Sequence, residues 1–288
     1  MAKVTRFSTK KTLNIRGNLV VLEAPVVMGI INVTPDSFYS GSRSSLESEV
    51  LKKAESMLSE GAVIIDIGGY SSRPGASDIS ETEELGRVLC HIENIRRELP
   101  ELYISIDTFR SVVAREAIQY GADVVNDISG GELDPQMFDT IASANVPYIL
   151  MHMRGTPQTM AQQTQYDNML LEMFVYFRNK VTELRRKGLK DIILDPGIGF
   201  SKTIEQNYEL LSELEYFRKL EAPLLVGLSR KSMIYKTLGV GPEEALNGTT
   251  ALHMIALMNG AAILRVHDVK EAVETAKLFN LTYGNKEA

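Results

Sequence analysis

Eight short runs rich in Val, Ile and Leu alternate with longer helical stretches along this 288-residue chain. The runs cover residues 26–32, 62–68, 102–108, 124–129, 147–153, 192–197, 223–229 and 261–268. They are continuously apolar rather than alternating, which is typical of parallel strands covered by helices. Because the connections between parallel strands are right-handed, eight such repeats predict one closed (β/α)8 TIM barrel.

The joints between the repeats favour the same fold. A glycine stands just before several of the runs, where it supplies the left-handed residue that ends a helix: Gly61, Gly121, Gly188 and Gly260. The pairs Ser80 with Glu83, and Asp268 with Glu271, predict capped helix starts. An open doubly wound sheet is the structural alternative, but no Gly-x-Gly-x-x-Gly motif follows the first run.

An alternating segment precedes the first run. Residues 12–23 alternate around Gly17-Asn18, which predicts a β-hairpin. We expect this hairpin to cover the N-terminal mouth, or bottom, of the barrel. Since no linker, low-complexity segment or charge block interrupts the sequence, we predict a single barrel domain over residues 1–288.

Composition excludes several classes of function. Lys and Arg number 31 against 37 Asp and Glu, a formal net charge of −6, whereas a general nucleic-acid binder needs a basic surface. No apolar run reaches the roughly 18 residues of a membrane span, and the first residues lack the apolar stretch of a signal peptide. We therefore expect no nucleic-acid partner, no membrane association and a cytoplasmic location. The single cysteine, Cys90, excludes an internal disulfide and is expected to be a small buried residue.

Polar residues gather where the predicted strands end. They are Asn32, Asp66, Asp107, Asn126, Asp127, His152, Asp195, Ser229, Arg230, Lys231, Arg265 and His267. Buried carboxylates and amides are costly when unpaired, so their concentration at one register predicts an active site at the C-terminal mouth of the barrel. Two long polar loops, residues 32–41 and 68–75, contain Pro and Gly and are expected to be mobile covers of that mouth.

Seven motifs follow one another through these strand ends and loops. In one-letter code they are NVTPDSF at 32–38, SRPG at 72–75, ND at 126–127, MHMRG at 151–155, DPGIGF at 195–200, SRKS at 229–232 and RVHD at 265–268. In these motifs and their order the chain resembles the dihydropteroate synthases, which are folate-pathway enzymes of bacteria. The resemblance covers nearly the whole chain. It implies condensation of 6-hydroxymethyl-7,8-dihydropterin diphosphate with p-aminobenzoate, with Mg²⁺ as cofactor, small-molecule substrates as partners and a homodimer.

The resemblance also assigns site residues one by one. It places the pterin and its diphosphate against Ser72, Asp107, Asn126, Met151, Asp195, Gly199, Lys231, Arg265 and His267. It places p-aminobenzoate against Ser72, Arg73, Pro74, Phe200, Lys231 and Ser232. It gives the catalytic roles to Asp107, Lys231, Arg265, His267 and Arg73, the metal to Asn32, and a mobile loop to Asp36, Ser37 and Phe38. The chemistry fits, because carboxylates accept the N–H groups of a pterin edge while an amide and an ammonium serve its acceptors.

The implied reaction needs no protein nucleophile. Departure of diphosphate leaves positive charge on the methylene carbon, which the electron-rich dihydropterin can delocalise, so we expect an SN1-like displacement. Sulfonamide-type mimics of p-aminobenzoate are expected to compete for its pocket. Two alternatives share the barrel, namely a methyltetrahydrofolate methyltransferase that feeds a corrinoid protein, and a non-catalytic pterin-binding barrel. The first needs no diphosphate site at Arg265 and His267, and the second needs no covering loops.

Two positions depart from the family pattern. Tyr70 stands where many members carry an acidic residue, and Ser72 stands where threonine is common. These departures concern the geometry of the second loop rather than the reaction. The remaining histidines, His91, His152 and His253, are expected to be structural.

Overall fold

Eight parallel strands close into a barrel in the computed structural model, which describes residues 12–34, 43–71 and 78–284. An antiparallel hairpin precedes the barrel and consists of β1 (Thr12–Ile15) and β2 (Asn18–Val21). The barrel strands are β3 (Val26–Asn32), β4 (Ile64–Gly68), β5 (Tyr103–Asp107), β6 (Val124–Asp127), β7 (Tyr148–Met151), β8 (Ile192–Asp195), β9 (Leu224–Val226) and β10 (Ala261–Val266). Each predicted run contains one of these strands, and β10 pairs with β3 to close the ring. The predicted TIM barrel is confirmed, and the open doubly wound sheet is wrong.

Helices surround the barrel and connect its strands. They are α1 (Arg43–Glu60), α2 (Glu81–Glu98), α3 (Ser111–Gln119), α4 (Met137–Ala144), α5 (Met169–Arg186), α6 (Ile204–Ser212), α7 (Ser232–Leu238), α8 (Leu246–Met258) and α9 (Val269–Tyr283). Short 3-10 segments lie at 160–162, 214–220 and 242–244. None of the described helices has both the length and the hydropathy that crossing a lipid bilayer would require.

The two predicted helix caps have different outcomes. The Ser80 hydroxyl accepts the backbone N–H of Glu83 at 3.2 Å, which confirms the first half of the predicted capping box. The Glu83 carboxylate accepts a hydrogen bond from Arg87 Nη2 at 2.6 Å. Asp268 occupies the corresponding position before α9, but its side chain makes no cap hydrogen bond. Its carboxylate instead accepts two hydrogen bonds from Arg230. The predicted pairing of Asp268 with Glu271 is therefore wrong, because a guanidinium with two aligned donors takes up the carboxylate.

The hairpin covers the bottom of the barrel, as predicted. Leu13 and Ile15 are fully buried in one cluster with residues from the first halves of the barrel strands, including Met28 and Ile193. Burial of each of these two side chains contributes about 2 kcal/mol. The turn between β1 and β2 is formed by Arg16 and Gly17, one residue earlier than predicted. Both have positive φ, 53° and 75°, as a type I′ hairpin turn requires.

A second apolar layer lies between the strands and the helices. In α5 the buried residues recur every three or four positions, which places one stripe of the helix against the barrel: Met169, Met173, Phe177, Val181 and Leu184. The Asn168 side chain caps the first turn of this helix by accepting the N–H of Leu171 at 3.1 Å. Cys90 lies in α2 and is half-buried rather than fully buried.

A charged cluster ties the loops at the bottom of the barrel. Asp123, just before β6, pairs with Arg96 and with Arg16, whose Nε lies 3.2 Å away. Arg96 also donates to the backbone carbonyls of Gly121 at 2.8 Å and Leu102 at 3.0 Å. The Arg96 side chain thus fixes backbone carbonyls at the end of the barrel opposite the predicted site.

Candidate active site

The carboxyl ends of four neighbouring strands bring predicted residues to one level of the barrel. Asn32 is paired in register with Gly68, Gly68 with Asp107, and Asp107 with Asn126. These four residues form a row across β3, β4, β5 and β6. The row places Asn32, Asp107 and Asn126 at the same mouth, as the sequence pattern predicts.

The guanidinium of Arg265, on β10, joins two carboxylates across this mouth. Its Nε donates to Asp66 Oδ2 and its Nη2 donates to Asp107 Oδ2, each at 2.6 Å. The amide of Asn126 donates to the same Asp66 oxygen at 2.8 Å. Charge-assisted hydrogen bonds are short and strong, so these four side chains form one connected network, which we call the Arg265 network.

Burial sets the protonation of Asp107 in this network. It raises the pKa of the Asp107 carboxyl to about 7, and the positive charge of Arg265 opposes the rise. A carboxyl that titrates near neutral pH can accept hydrogen bonds from a ligand above that pH and loses one acceptor below it. Such perturbed groups in a cleft are typical of functional sites.

Two buried oxygens of the Arg265 network lack a hydrogen-bond partner within the described residues. They are Oδ1 of Asp66 and Oδ1 of Asn126. Leaving a buried acceptor unsatisfied costs about 1–3 kcal/mol, so both oxygens favour a hydrogen-bond donor from outside the described residues. A ligand that presents N–H donors can satisfy both oxygens.

The loop after β8 forms the opposite wall. The Asp195 carboxylate accepts the backbone N–H of Gly197 at 2.8 Å, and Lys231 donates its Nζ to the Ile198 carbonyl. Burial raises the pKa of Asp195, with Lys231 opposing. Burial also lowers the pKa of Lys231 to about 8, with Asp195 opposing. The two groups therefore provide one acceptor and one donor of opposite charge in the same pocket.

An aromatic ring and a glycine fix the path of Lys231. Its Nζ lies 4.6 Å from the centroid of the Phe200 ring, a cation–π distance. Gly199 has φ of 83°, and a Cβ there would lie 2.9 Å from Lys231 Cδ, so only glycine fits without displacing the lysine. Met151, paired in register with Asp195, lies in a small apolar cluster that Phe200 contacts.

The end of β10 and the loop after β9 meet at the edge of the mouth. The Ser229 hydroxyl accepts the backbone N–H of His267 at 3.2 Å and lies 3.2 Å from its Nδ1. Partial desolvation and the charge of Arg265 lower the pKa of His267 to about 4, although the residue is exposed, so its ring is neutral near pH 7. The Arg230 guanidinium donates hydrogen bonds to Asp268 and Glu243. Ser232 is half-buried at the first position of α7.

The chain is similar in sequence and in fold to known proteins. Residues 28–267 match the model of the pterin binding enzyme family. The dihydropteroate synthase of Escherichia coli (strain K12) is 43% identical over 274 residues, covering 94% of this chain and 96% of the relative. A Yersinia pestis dihydropteroate synthase solved with a sulfonamide drug complex is 40% identical, has a TM-score of 0.89, and is matched over 95% of this chain and 100% of its own.

The chain belongs to the dihydropteroate synthase family of pterin-binding enzymes. A further solved member, from Xanthomonas albilineans in complex with 7,8-dihydropteroate, is 32% identical with a TM-score of 0.85 and is matched over 95% of this chain and 99% of its own. The resemblance drawn from the seven motifs is thereby confirmed, and the corrinoid methyltransferase alternative is not favoured.

Several residues that the family pattern assigns lie outside the described part of the chain. They are Asp36, Ser37 and Phe38 in the first loop, and Ser72, Arg73 and Pro74 in the second. Their assignments stay predictions. Asn32 is half-buried at the end of β3, and the described residues contain no group of three or more His, Cys, Asp and Glu side chains that could hold a metal ion.

Tyr70, one of the two positions that depart from the family pattern, lies among aromatic and polar side chains. The Tyr70 hydroxyl accepts a hydrogen bond from Gln158 Nε2 at 2.8 Å, and its ring meets Phe109 edge-on with centroids 5.0 Å apart. Arg110 lies 5.4 Å from the Tyr70 ring centroid. Tyr70 thus links the loop after β4 to the loop after β7 by a hydrogen bond and to the loop after β5 by ring packing, and a carboxylate could not make the second contact.

The three histidines expected to be structural are buried. His91 and His253 lie on the inner faces of α2 and α8. His152 packs edge-on against Tyr176, with ring centroids 5.0 Å apart, and its Nδ1 lies 3.3 Å from Lys202 Nζ.

The sequence gives no specific role to two buried residues at or beside the site. Asp66 was recognised only as a polar strand residue, yet it is the hub of the Arg265 network. Lys202 received no role, although it is buried against the loop that carries Gly199 and Phe200. A buried charge inside a strand is a signal that could have identified Asp66, whereas nothing in the sequence distinguishes Lys202 from an exposed lysine.

Proposed function

We propose that this protein condenses 6-hydroxymethyl-7,8-dihydropterin diphosphate with p-aminobenzoate, which yields 7,8-dihydropteroate and diphosphate. The observation that carries the proposal is the Arg265 network with its two unsatisfied buried oxygens, facing a wall that offers Asp195 and Lys231. A pterin edge has the complementary set, since its amino and ring N–H groups are donors and its carbonyl is an acceptor. Selectivity follows, because a ligand without these groups leaves buried polar atoms unpaired.

In this proposal the pterin lies deepest in the mouth. Asp66, Asp107, Asn126 and Asp195 accept its N–H donors, and Lys231 donates to its acceptors. Asn126 accepts here rather than donates, because its Nδ2 is already bonded to Asp66. Met151 lies against the flat ring, where a polarizable thioether packs well. Gly199 leaves room for Lys231 to reach the ring.

The diphosphate is proposed to lie above the pterin at the ends of β9 and β10. Arg265 is the main counter-charge, and neutral His267 donates one hydrogen bond from its ring. The N-terminus of α9 follows directly after Asp268 and adds the positive end of a helix dipole. Ser72 is assigned to this site by family resemblance alone.

The reaction breaks one bond and forms one bond at the exocyclic methylene carbon of the pterin. The C–O electron pair leaves with diphosphate, whose growing negative charge Arg265 stabilises. The resulting cation is delocalised into the dihydropterin ring, and the amino nitrogen of p-aminobenzoate then supplies the electron pair of the new C–N bond. Its surplus proton leaves to solvent or to diphosphate. The protein contributes binding, orientation and exclusion of water rather than a nucleophile.

The p-aminobenzoate is proposed to lie against Phe200, Lys231 and Ser232, with Ser72, Arg73 and Pro74 closing over it. Lys231 and Arg73 offer positive charge to the benzoate carboxylate. Competition by sulfonamides follows from this arrangement, because they share the aniline ring and an acidic group.

Mg²⁺ is proposed as the cofactor, with Asn32 as its protein ligand. The donor set fits this ion, because Mg²⁺ commonly keeps only one or two protein ligands and completes its shell with phosphate oxygens and water. When bound, Mg²⁺ supplies Lewis-acid stabilisation of the leaving diphosphate. Calorimetric titration of Mg²⁺ into the protein with inorganic diphosphate should show weaker Mg²⁺ binding for Asn32→Ala than for the unaltered protein.

A homodimer is also proposed. Exposed apolar side chains on the adjacent helices α8 and α9 support it, namely Ile255, Met258, Leu278 and Leu281. Sedimentation of Leu281→Glu should then shift toward the monomer. A cytoplasmic location and a single domain over residues 1–288 stay predictions from the sequence.

The deciding assay mixes purified protein, Mg²⁺, the pterin diphosphate and p-aminobenzoate, and measures both diphosphate and dihydropteroate. Equal amounts of the two products are expected. Methyl transfer to a corrinoid protein without this condensation would establish the alternative enzyme instead. Pterin binding without either reaction would establish the non-catalytic barrel.

A further inference from the structure

Lys202 is a buried lysine that the proposed reaction does not use. It follows the DPGIGF motif, and only 8% of the residue is exposed. Lys202 forms no ion pair with a carboxylate among the residues that the structure describes, which is unusual because buried lysines are normally paired. Its ammonium therefore needs another explanation for its place inside the protein.

The ammonium of Lys202 is surrounded by three acceptors. Its Nζ donates to the carbonyl of Gly197 at 3.1 Å and to the carbonyl of Phe200 at 3.0 Å, and it lies 3.3 Å from His152 Nδ1. Burial lowers the pKa of Lys202 to about 7. Its protonated form has three N–H donors, so each donor has one partner when His152 carries its proton on Nε2. Burial lowers the pKa of His152 well below its usual value, which keeps this ring neutral and able to accept.

The two carbonyls bound by Lys202 bracket the part of the loop that faces the site. Ile198 lies between them, and its carbonyl accepts a hydrogen bond from Lys231 Nζ. The ammonium of Lys231 also lies over the Phe200 ring. Two lysines thus hold one loop from its two sides. Lys202 secures it from the interior, and Lys231 contacts it from the mouth.

Other hydrogen bonds also hold this loop. The Gly199 N–H donates to Asn207 Oδ1 at 2.6 Å, the Phe200 N–H donates to the Gly197 carbonyl at 3.1 Å, and the Tyr166 hydroxyl donates to the Ser201 carbonyl at 3.0 Å. The loop backbone has positive φ at Gly197, Gly199 and Ser201, so the chain reverses direction repeatedly within five residues. The strain of a left-handed serine persists only where the surroundings enforce it. The Lys202 hydrogen bonds tie the start of this segment to its end.

We propose that Lys202 is a positioning residue for the condensation, which holds residues 197–200 so that Ile198 and Phe200 keep Lys231 directed at the pterin and p-aminobenzoate. This inference rests on the proposed function. It assigns Lys202 no contact with substrate and no part in proton transfer.

The test compares Lys202→Met with the unaltered protein. Methionine keeps most of the side-chain volume but removes all three donors. We expect the KM for both substrates to rise by about tenfold or more, because small displacements of positioning groups have effects of this size. We also expect faster amide hydrogen exchange in residues 196–201 of the ligand-free protein.

A matched control is Arg96→Met at the bottom of the barrel. Arg96 is likewise a long cation bonded to backbone carbonyls, but it lies at the opposite end. Arg96→Met should lower thermal stability while both KM values and hydrogen exchange in residues 196–201 stay unchanged.

Dependence on Lys231 provides a second readout. If Lys202 acts through Lys231, Lys202→Met should weaken p-aminobenzoate binding much less in a Lys231→Arg background than in the unaltered protein. Additive effects of the two substitutions would overturn the proposal. So would unchanged KM values in Lys202→Met, or exchange that rises equally throughout the barrel.

Should Lys202→Met fail to fold, Lys202→Gln retains two donors and takes its place in the same measurements. Failure of the proposed function is a separate outcome. An unaltered protein that makes no dihydropteroate would refute the function, whereas the hydrogen-exchange comparison would still decide whether Lys202 holds the loop.

Discussion

Arg265 Nη2 lies 2.6 Å from Asp107 Oδ2, so the cation proposed for the diphosphate is bonded to a carboxylate proposed for the pterin. The residue proposed to bind each ligand is therefore hydrogen-bonded to the residue proposed to bind the other. Asp107→Asn should lower affinity for the pterin by about 10- to 100-fold, since a hydrogen bond to a charged group contributes roughly 1.5–3 kcal/mol. Calorimetry with 6-hydroxymethylpterin measures this directly. Inorganic diphosphate, measured in parallel, should bind no more weakly than before, and wild-type pterin affinity in the variant would remove Asp107 from the site.

Removing Arg265 should affect stability as well as catalysis. Arg265→Met leaves Asp66 buried without its cation, and breaking a buried pair costs about 3–5 kcal/mol. Urea unfolding should show this loss, and kcat should fall by about 10²- to 10³-fold, the usual effect of removing one group that stabilises transition-state charge. In the double variant Asp66→Asn/Arg265→Met we expect stability to recover and activity to stay low. Recovery of both would mean that Arg265 serves structure alone.

Gly199 can be tested against a glycine with similar backbone geometry. Gly199→Ala and Gly188→Ala both place a side chain at positive φ, 83° and 97°, which costs roughly 1–2 kcal/mol. A Cβ at residue 188 meets open space, whereas one at residue 199 meets Lys231. We expect similar losses of thermal stability in both variants but weaker pterin binding only in Gly199→Ala. Equal pterin binding in the two variants would show that Lys231 does not depend on this contact.

The pH dependence of kcat/KM for the pterin diphosphate should have two limbs. As pH falls through about 7, Asp107 takes up a proton and loses an acceptor, so kcat/KM should fall. As pH rises through about 8, Lys231 loses its charge and one donor, so kcat/KM should fall again. Profiles of Asp107→Asn and Lys231→Met should each lack one limb. The phosphate groups of the substrate titrate identically in all three proteins, so a limb that persists in its variant belongs to the substrate or to another group.

The sequence predicted the barrel and its mouth because both leave patterns of period and position. Continuous apolar runs mark the parallel strands, and Asp107, Asn126 and Asp195 interrupt or end them at one register. The pairing inside the mouth could not be predicted in the same way. Whether Asp66 accepts from Arg265 depends on side chains 199 residues apart that face each other across a closed ring.

Local chemistry also misled in two places. Asp268 has the type and spacing of a helix cap, but Arg230 approaches from another loop and takes both carboxylate oxygens. The hairpin turn falls on Arg16 and Gly17 because packing of Leu13 and Ile15 into the barrel selects this register. The alternation of the sequence alone does not distinguish this register from the adjacent one.

The hairpin closes the bottom of the barrel, and apolar side chains such as Met28 and Ile193 fill the interior above it, so ligands reach the mouth only from the carboxyl ends of the strands. Substrates that enter and products that leave must pass the same rim, so order of exchange is imposed by depth. The pterin, bound deepest, has to arrive before p-aminobenzoate covers it. Dihydropteroate has to depart as one piece before the next pterin can enter. In the proposed arrangement, a molecule that occupies only the outer half of the mouth therefore blocks the exchange of whatever lies beneath it.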